Sequence, residues 1–215
     1  VDDQRLDALW ATAGELGVPI MIHVGDPAAF FRPLDHRNER AEQLIKRPEW
    51  HFYPDYPGLQ ELLSQLERVV LRHSRTIFIG AHAGCYAEDL GWVGSLMDRA
   101  PNWYIDLSAR LAELGRQPRA TRKLIEAHPE RILFGTDVCG QPQENAIYYR
   151  FLETDDEYFS YRPDPDDYIN GRWRIAGLGL PDELLRAIYR DNAVRVLGLD
   201  TSPATARLRR RSAED

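Results

Sequence analysis

Three short apolar runs in this chain each end on a side chain able to bind a metal, with glycine or a turn close behind. They read Pro19-Ile20-Met21-Ile22-His23, Ile77-Phe78-Ile79-Gly80-Ala81-His82 and Ile132-Leu133-Phe134-Gly135-Thr136-Asp137. Runs so short and so apolar read as buried strands. A parallel α/β barrel places its chemistry at the C-terminal ends of such strands, so one pattern constrains both the fold and the site.

The intervening segments supply the helices of that alternation. Leu6, Leu9, Trp10, Ala13 and Leu16 recur at helical spacing and Gly17 follows as a stop. Leu59, Leu62, Leu63, Leu66, Val69 and Val70 form one stripe of a helix over 57–73, with Pro57 suited to its first turn. Strands are expected over 19–23, 76–82, 102–107 and 131–137. Further helices are expected over 37–46, 88–99, 119–127, 144–152, 181–189 and 192–197. The segment 24–56 is a long connection, rich in Pro, Arg and aromatics, of the kind that forms lids and binding loops.

Strand and helix alternate as in a parallel α/β protein. Only four strands are present, and a closed barrel needs eight. The expectation is an open half of a barrel over 1–200 that begins partway through the fold, followed by a disordered tail over 201–215.

Composition limits the partners. A net charge of −7 argues against a nucleic-acid surface, and the one basic cluster, Arg207 to Arg211, falls in the tail. No apolar run approaches the roughly 18 residues that a membrane span needs. Cys85 and Cys139 make no disulfide framework and read as small packing residues. A small-molecule substrate is expected, with neither nucleic acid nor membrane as partner, and the cytoplasm is the default location. Two open sheet edges would favour a homo-oligomer.

Among single residues, His23 and His82 are candidate metal or catalytic imidazoles, with a structural or capping histidine as the plain alternative. Small neighbours in Gly80-Ala81-His82-Ala83-Gly84 leave the His82 ring room to reach a ligand. Asp137 ends an apolar strand on a carboxylate, which is costly to bury unless paired or metal-bound; a helix N-cap is its alternative. Arg110 is placed to hold a substrate carboxylate bidentately, against the simpler reading of a surface ion pair. Trp50, His51, Phe52 and Tyr53 are candidates to wall a pocket. Asp106 and Ser108 read as structural hydrogen-bonding residues. His36, His73 and His128 read as surface or helix-end residues.

These motifs resemble the amidohydrolase superfamily, in its amidohydrolase-related branch of metal-dependent hydrolases and decarboxylases. His23, His82 and Asp137 match in order the residues ending strands five, six and eight of that barrel. Tyr104-Ile105-Asp106-Leu107-Ser108 is similar to its strand seven, and Asp191-Asn192-Ala193-Val194-Arg195-Val196-Leu197-Gly198 to its closing helix. The resemblance implies a TIM-barrel fold, His23 and Asp137 as metal ligands, and His82 and Asp137 as catalytic groups. It implies a divalent metal, zinc first and manganese second. The family's strand-one His-x-His or Glu-x-His pair is not found ahead of His23, so the implied ligand set is incomplete.

The function implied is hydrolysis of a small organic acid, lactone or amide by metal-activated water. Non-oxidative decarboxylation of an aromatic or unsaturated acid is the rival on the same scaffold. A half-barrel acting only in binding or assembly is the reading from another class. A nucleotide-binding protein is disfavoured, because no Gly-rich phosphate loop follows any strand.

Overall fold

The computed structural model describes residues 1–138, 141–166 and 170–199. Its centre is one parallel sheet of four strands in chain order: β1 (Ile20–Ile22), β2 (Phe78–Gly80), β3 (Trp103–Asp106) and β4 (Ile132–Leu133). In register, Ile20 faces Phe78, Phe78 faces Trp103 and Ile105 faces Ile132. The strands are shorter than their apolar runs, because Phe134 to Asp137 turn away from the ladder into the loop that carries Asp137. The expected tail over 201–215, with Arg207 to Arg211, lies outside the described residues.

Alternation along the strands divides the sheet into two faces. Ile22, Phe78, Trp103, Ile105 and Ile132 enter the main core with the helices. The helix Leu59–Arg72 buries Leu59, Leu63, Leu66, Val69 and Val70, and Leu90–Arg99 buries Leu90, Val93, Leu96 and Met97. The helices Pro118–Ala127 and Pro142–Glu153 complete this layer. On the opposite face, Ile79 and Leu133 pack with Val196, whereas Met21 is 62% exposed.

Two expectations are corrected. The first helix, Asp7–Leu16, buries only Trp10, and Leu9 and Leu16 of its apolar stripe face solvent. Trp10 itself packs edge to face on Phe78 of β2. The second concerns β4. Phe134, just past its end, donates its N–H to Ile188 O at 3.1 Å, so the C-terminal helix packs against that end of the sheet. That helix is continuous, running Asp182–Arg186, a π-turn over Ala187–Asp191, and Asn192–Val196.

Buried amide side chains tie loops to the core in place of backbone partners. Asn102 donates to Val70 O, His73 O and Thr76 O at 3.0, 3.2 and 2.9 Å. Asn192 donates to Pro129 O and Ile132 O, both at 2.8 Å. Gly80 meets the fully buried Trp103 so closely that a Cβ there would lie 2.3 Å from the indole. Gly80→Ala is expected to lower stability by about 1–3 kcal/mol through overpacking, read from urea unfolding. An unchanged midpoint would mean that the indole does not fix this turn.

Candidate active site

The turn after β2 has an uncommon backbone. His82, Ala83, Gly84 and Cys85 all have positive φ, at 59°, 55°, 70° and 64°. Left-handed geometry costs an L-residue about 1–2 kcal/mol, so it persists only where neighbours hold it. Asp106 at the end of β3 does so: its Oδ1 accepts the His82 N–H at 2.8 Å. The Cys85 N–H donates back to Ala81 O at 2.8 Å, and Cys85 is buried beneath the turn, as a packing residue would be.

The same Asp106 Oδ1 accepts the Ser108 N–H at 3.0 Å and the Ser108 hydroxyl at 2.8 Å. Ser108 Oγ thus directs its hydrogen at Asp106, and it meets His82 Nδ1 at 2.9 Å as an acceptor. Ser108 O, which can only accept, lies 3.0 Å from the same Nδ1. Both contacts require Nδ1 to carry the proton, leaving Nε2 with a free lone pair. Burial, then the nearby Arg110 charge, holds the His82 pKa below the ordinary imidazole value. The ring is therefore kept as a neutral base. Asp106 and Ser108, read from sequence as structural, support this ring directly.

A cavity of about 350 Å³ opens beyond the C-terminal ends of all four strands. Asp26 and Phe30 reach it from the connection after β1, His82 from β2, Arg110 from β3, and Thr136 and Asp137 from β4. Trp50 also lines it, whereas His51, Phe52 and Tyr53 do not. Phe52 instead packs on Phe30 and Phe31. Trp50 stacks on Phe30 with ring centroids 6.1 Å apart.

Arg110 is buried, at 6% exposed, which overturns the surface-ion-pair alternative. Its Nη1 donates to Ala109 O at 2.9 Å, while Nη2 has no hydrogen-bond partner. The nearest carboxylate oxygen to Nη2 is Asp26 Oδ1, at 3.8 Å. Tyr148 joins the loops after β3 and β4: it accepts the Ala109 N–H at 2.8 Å and donates to Thr136 O at 3.4 Å. Burial pushes its phenol pKa far up.

The two expected metal ligands, His23 and Asp137, and the expected catalytic His82 are only partly brought together. The His23 and His82 rings meet edge to face at 4.9 Å, and His23 Nε2 lies 3.7 Å from Asp26 Oδ1. His23 is exposed and does not line the cavity; Asp137 is exposed and does. No three His, Cys, Asp or Glu side chains among the described residues stand together as a metal site. The donors among the described residues therefore do not by themselves make a complete metal centre. Cys139 lies outside the described residues. His73 meets Asp7 at 3.0 Å. His128 ends its helix but is buried against Arg131 rather than at the surface.

Sequence reasoning missed Asp26, the Tyr148 bridge and the buried pair of Arg40 with Glu113 beside the cavity. The length of the connection after β1 was the signal for Asp26 and Arg40, because so long an insertion lies above the strand ends. No helix among the described residues is long and apolar enough to cross a membrane.

The amidohydrolase family pattern matches residues 1–199, and the chain belongs to that family. Its architecture is the TIM-barrel type, represented by four strands in an open sheet. A dihydroxybenzoic acid decarboxylase from Polaromonas sp. JS666, solved with manganese and the inhibitor 2-nitroresorcinol, superposes with a TM-score of 0.52 at 16% identity, over 94% of this chain and 56% of that one. A candidate amidohydrolase from Staphylococcus aureus gives 0.51 at 18% identity, over 92% and 60%. An amidohydrolase II structure gives 0.50 at 16%, over 92% and 57%. At these identities the likeness is one of fold, and the chain spans a little over half the length of these relatives. Among curated proteins, none matches the sequence.

Removing the Asp106 carboxylate leaves three donors at the heart of the site without their acceptor. Asp106→Ala is expected to cost about 2–4 kcal/mol, and Asp106→Asn, which keeps an acceptor oxygen, clearly less. Equal denaturant midpoints for Asp106→Ala and wild type would contradict this role.

Proposed function

We propose that this chain carries the proton-transfer and substrate-holding side of an amidohydrolase-family active site. One observation carries the reading: at the C-terminal ends of the strands, a neutral imidazole with a free Nε2 lines the same cavity as a buried arginine. Such a pairing fits acid–base chemistry on a small molecule bearing a carboxylate.

The steps open to this chain's own residues follow from their placement. Arg110 Nη2 binds a substrate carboxylate. His82 Nε2 takes a proton and returns it to the substrate, while Ser108 and Asp106 hold Nδ1–H and stabilise the imidazolium formed. Asp137, exposed on the same wall, accepts a proton from attacking water. In this reading His23 and Asp137 are donors to a divalent cation, zinc first and manganese second. The cation would polarise a water or substrate oxygen, and its remaining donors come from outside the described residues.

The reaction favoured is hydrolysis of a small organic acid, lactone or amide. Decarboxylation is the second reading, because a carboxylate held by Arg110 beside His82 is also positioned for loss as carbon dioxide with protonation of the carbon left behind.

The test is an assay of the chain supplied with zinc or manganese against small lactones, amides and aromatic acids, following both hydrolysis and carbon dioxide release. His82→Asn is expected to lower kcat by about 10²- to 10⁴-fold. Carbon dioxide release without hydrolysis would favour the second reading. Undiminished turnover in His82→Asn would sink the role of His82. Binding without turnover of any kind would leave the chain as a non-catalytic binding module.

A further inference from the structure

Asp26 stands on the Gly25-Asp26-Pro27 turn that follows β1 and His23. The turn is fixed from three sides. A Cβ on Gly25 would come within 2.7 Å of Leu59, so the backbone is pressed against that helix. The Ala28 N–H just beyond it donates to Glu88 Oε1 at 2.7 Å. Ala28, Ala29 and Phe30 then bury themselves in a short 3-10 turn. The backbone is held, and the Asp26 side chain is partly exposed.

That side chain lies between an imidazole and a guanidinium. The same oxygen, Oδ1, is 3.7 Å from His23 Nε2 and 3.8 Å from Arg110 Nη2. Neither distance is a hydrogen bond. Arg110 meanwhile keeps a buried guanidinium nitrogen without a hydrogen-bond partner, which is costly for a charged donor. Nη2 is sealed from solvent as the chain stands, so a carboxylate reaches the roughly 2.8 Å of a charge-assisted bond only once a neighbour such as Asp26, at 3.8 Å, has moved aside.

Resting on the reading of Arg110 as a carboxylate anchor, we propose that Asp26 is an internal competitor for that anchor, displaced when a monocarboxylate binds. The arriving carboxylate takes Nη2, and Asp26 swings to His23, which its Oδ1 already approaches. Asp26 then sets the specificity of the cavity. A neutral ligand leaves the Asp26–Arg110 pair in place and gains nothing from Arg110. A ligand with a second carboxylate meets the displaced Asp26 as a like charge. The stacked Phe30 and Trp50 rings on the cavity wall suit a planar body attached to the single carboxylate.

Fluorine NMR titration of the intact chain with 4-fluorobenzoate, and with the uncharged 4-fluorobenzamide, tests this without any need for turnover. Asp26→Asn is expected to tighten 4-fluorobenzoate by about five- to tenfold, since it removes the competing and repelling charge. The affinity for 4-fluorobenzamide should not change. In an Arg110→Gln background the gain should vanish, or benzoate binding should be lost while benzamide binding persists; Arg110→Lys serves if the glutamine variant does not fold. The proposal is overturned if Asp26→Asn leaves benzoate affinity unchanged or weakens it. It is equally overturned if the gain is the same in both Arg110 backgrounds, or if neither wild type nor Asp26→Asn binds benzoate. A failed assay for hydrolysis and decarboxylation, with the Asp26 effect intact, would sink the proposed reaction and leave the competitor in place.

Discussion

One carboxylate oxygen, Asp106 Oδ1, holds the site together. From the end of β3 it accepts the backbone N–H of His82 on the neighbouring turn and both donors of Ser108. The first bond stabilises a left-handed turn that the chain would otherwise avoid. The others orient a hydroxyl that fixes the His82 tautomer. Strand pairing sets the reach: Gly80 is in register with Ile105, so Asp106 follows one step on, level with the start of the turn that carries His82. Fold and chemistry thus meet at one atom, and the choice of a neutral imidazole with a free Nε2 follows from backbone register.

The walls of the cavity come from a different source. The strand ends supply His82, Arg110 and Asp137, and the long connection after β1 lays Asp26, Phe30 and Trp50 across them. This division between a rigid floor and a variable roof is how barrel enzymes change substrate without changing fold. Arg110, buried beneath that roof, keeps a guanidinium nitrogen without a hydrogen-bond partner, as does Arg40 on the same wall. The Arg110 charge also disfavours protonation of His82, the second cause of that ring's lowered pKa after burial. His82 and Arg110 are thus electrostatically coupled, and neutralising the Arg110 charge would relax that constraint on the imidazole.

Much of this was legible in the sequence, and the failures have physical reasons. Four apolar runs gave the four strands in their order, because buried parallel strands must be apolar on both faces. The strand-ending pattern singled out His23, His82 and Asp137. It did not reveal that among the described residues these three fall short of a metal cluster, since pairwise distance is not written in one-dimensional spacing. Arg110 was as easily read as a surface residue; the cavity residues that stand with it from the long connection, Asp26, Phe30 and Trp50, lie 60 to 84 positions earlier in the chain. Asp106 looked like an ordinary strand-end carboxylate because its partners, His82 and Ser108, lie on two different segments. The Leu9 and Leu16 stripe promised a buried helix face, yet helical periodicity says which side is apolar and not whether anything packs there.

The most direct measurement is the protonation pattern of the His82 ring, by long-range proton–nitrogen NMR of the imidazole at neutral pH with assignment by His82→Gln. The account predicts a protonated Nδ1 and an unprotonated Nε2. A proton on Nε2 with a bare Nδ1 would break the chain from Asp106 through Ser108 to the base, and with it the assignment of His82 as the proton-transfer group.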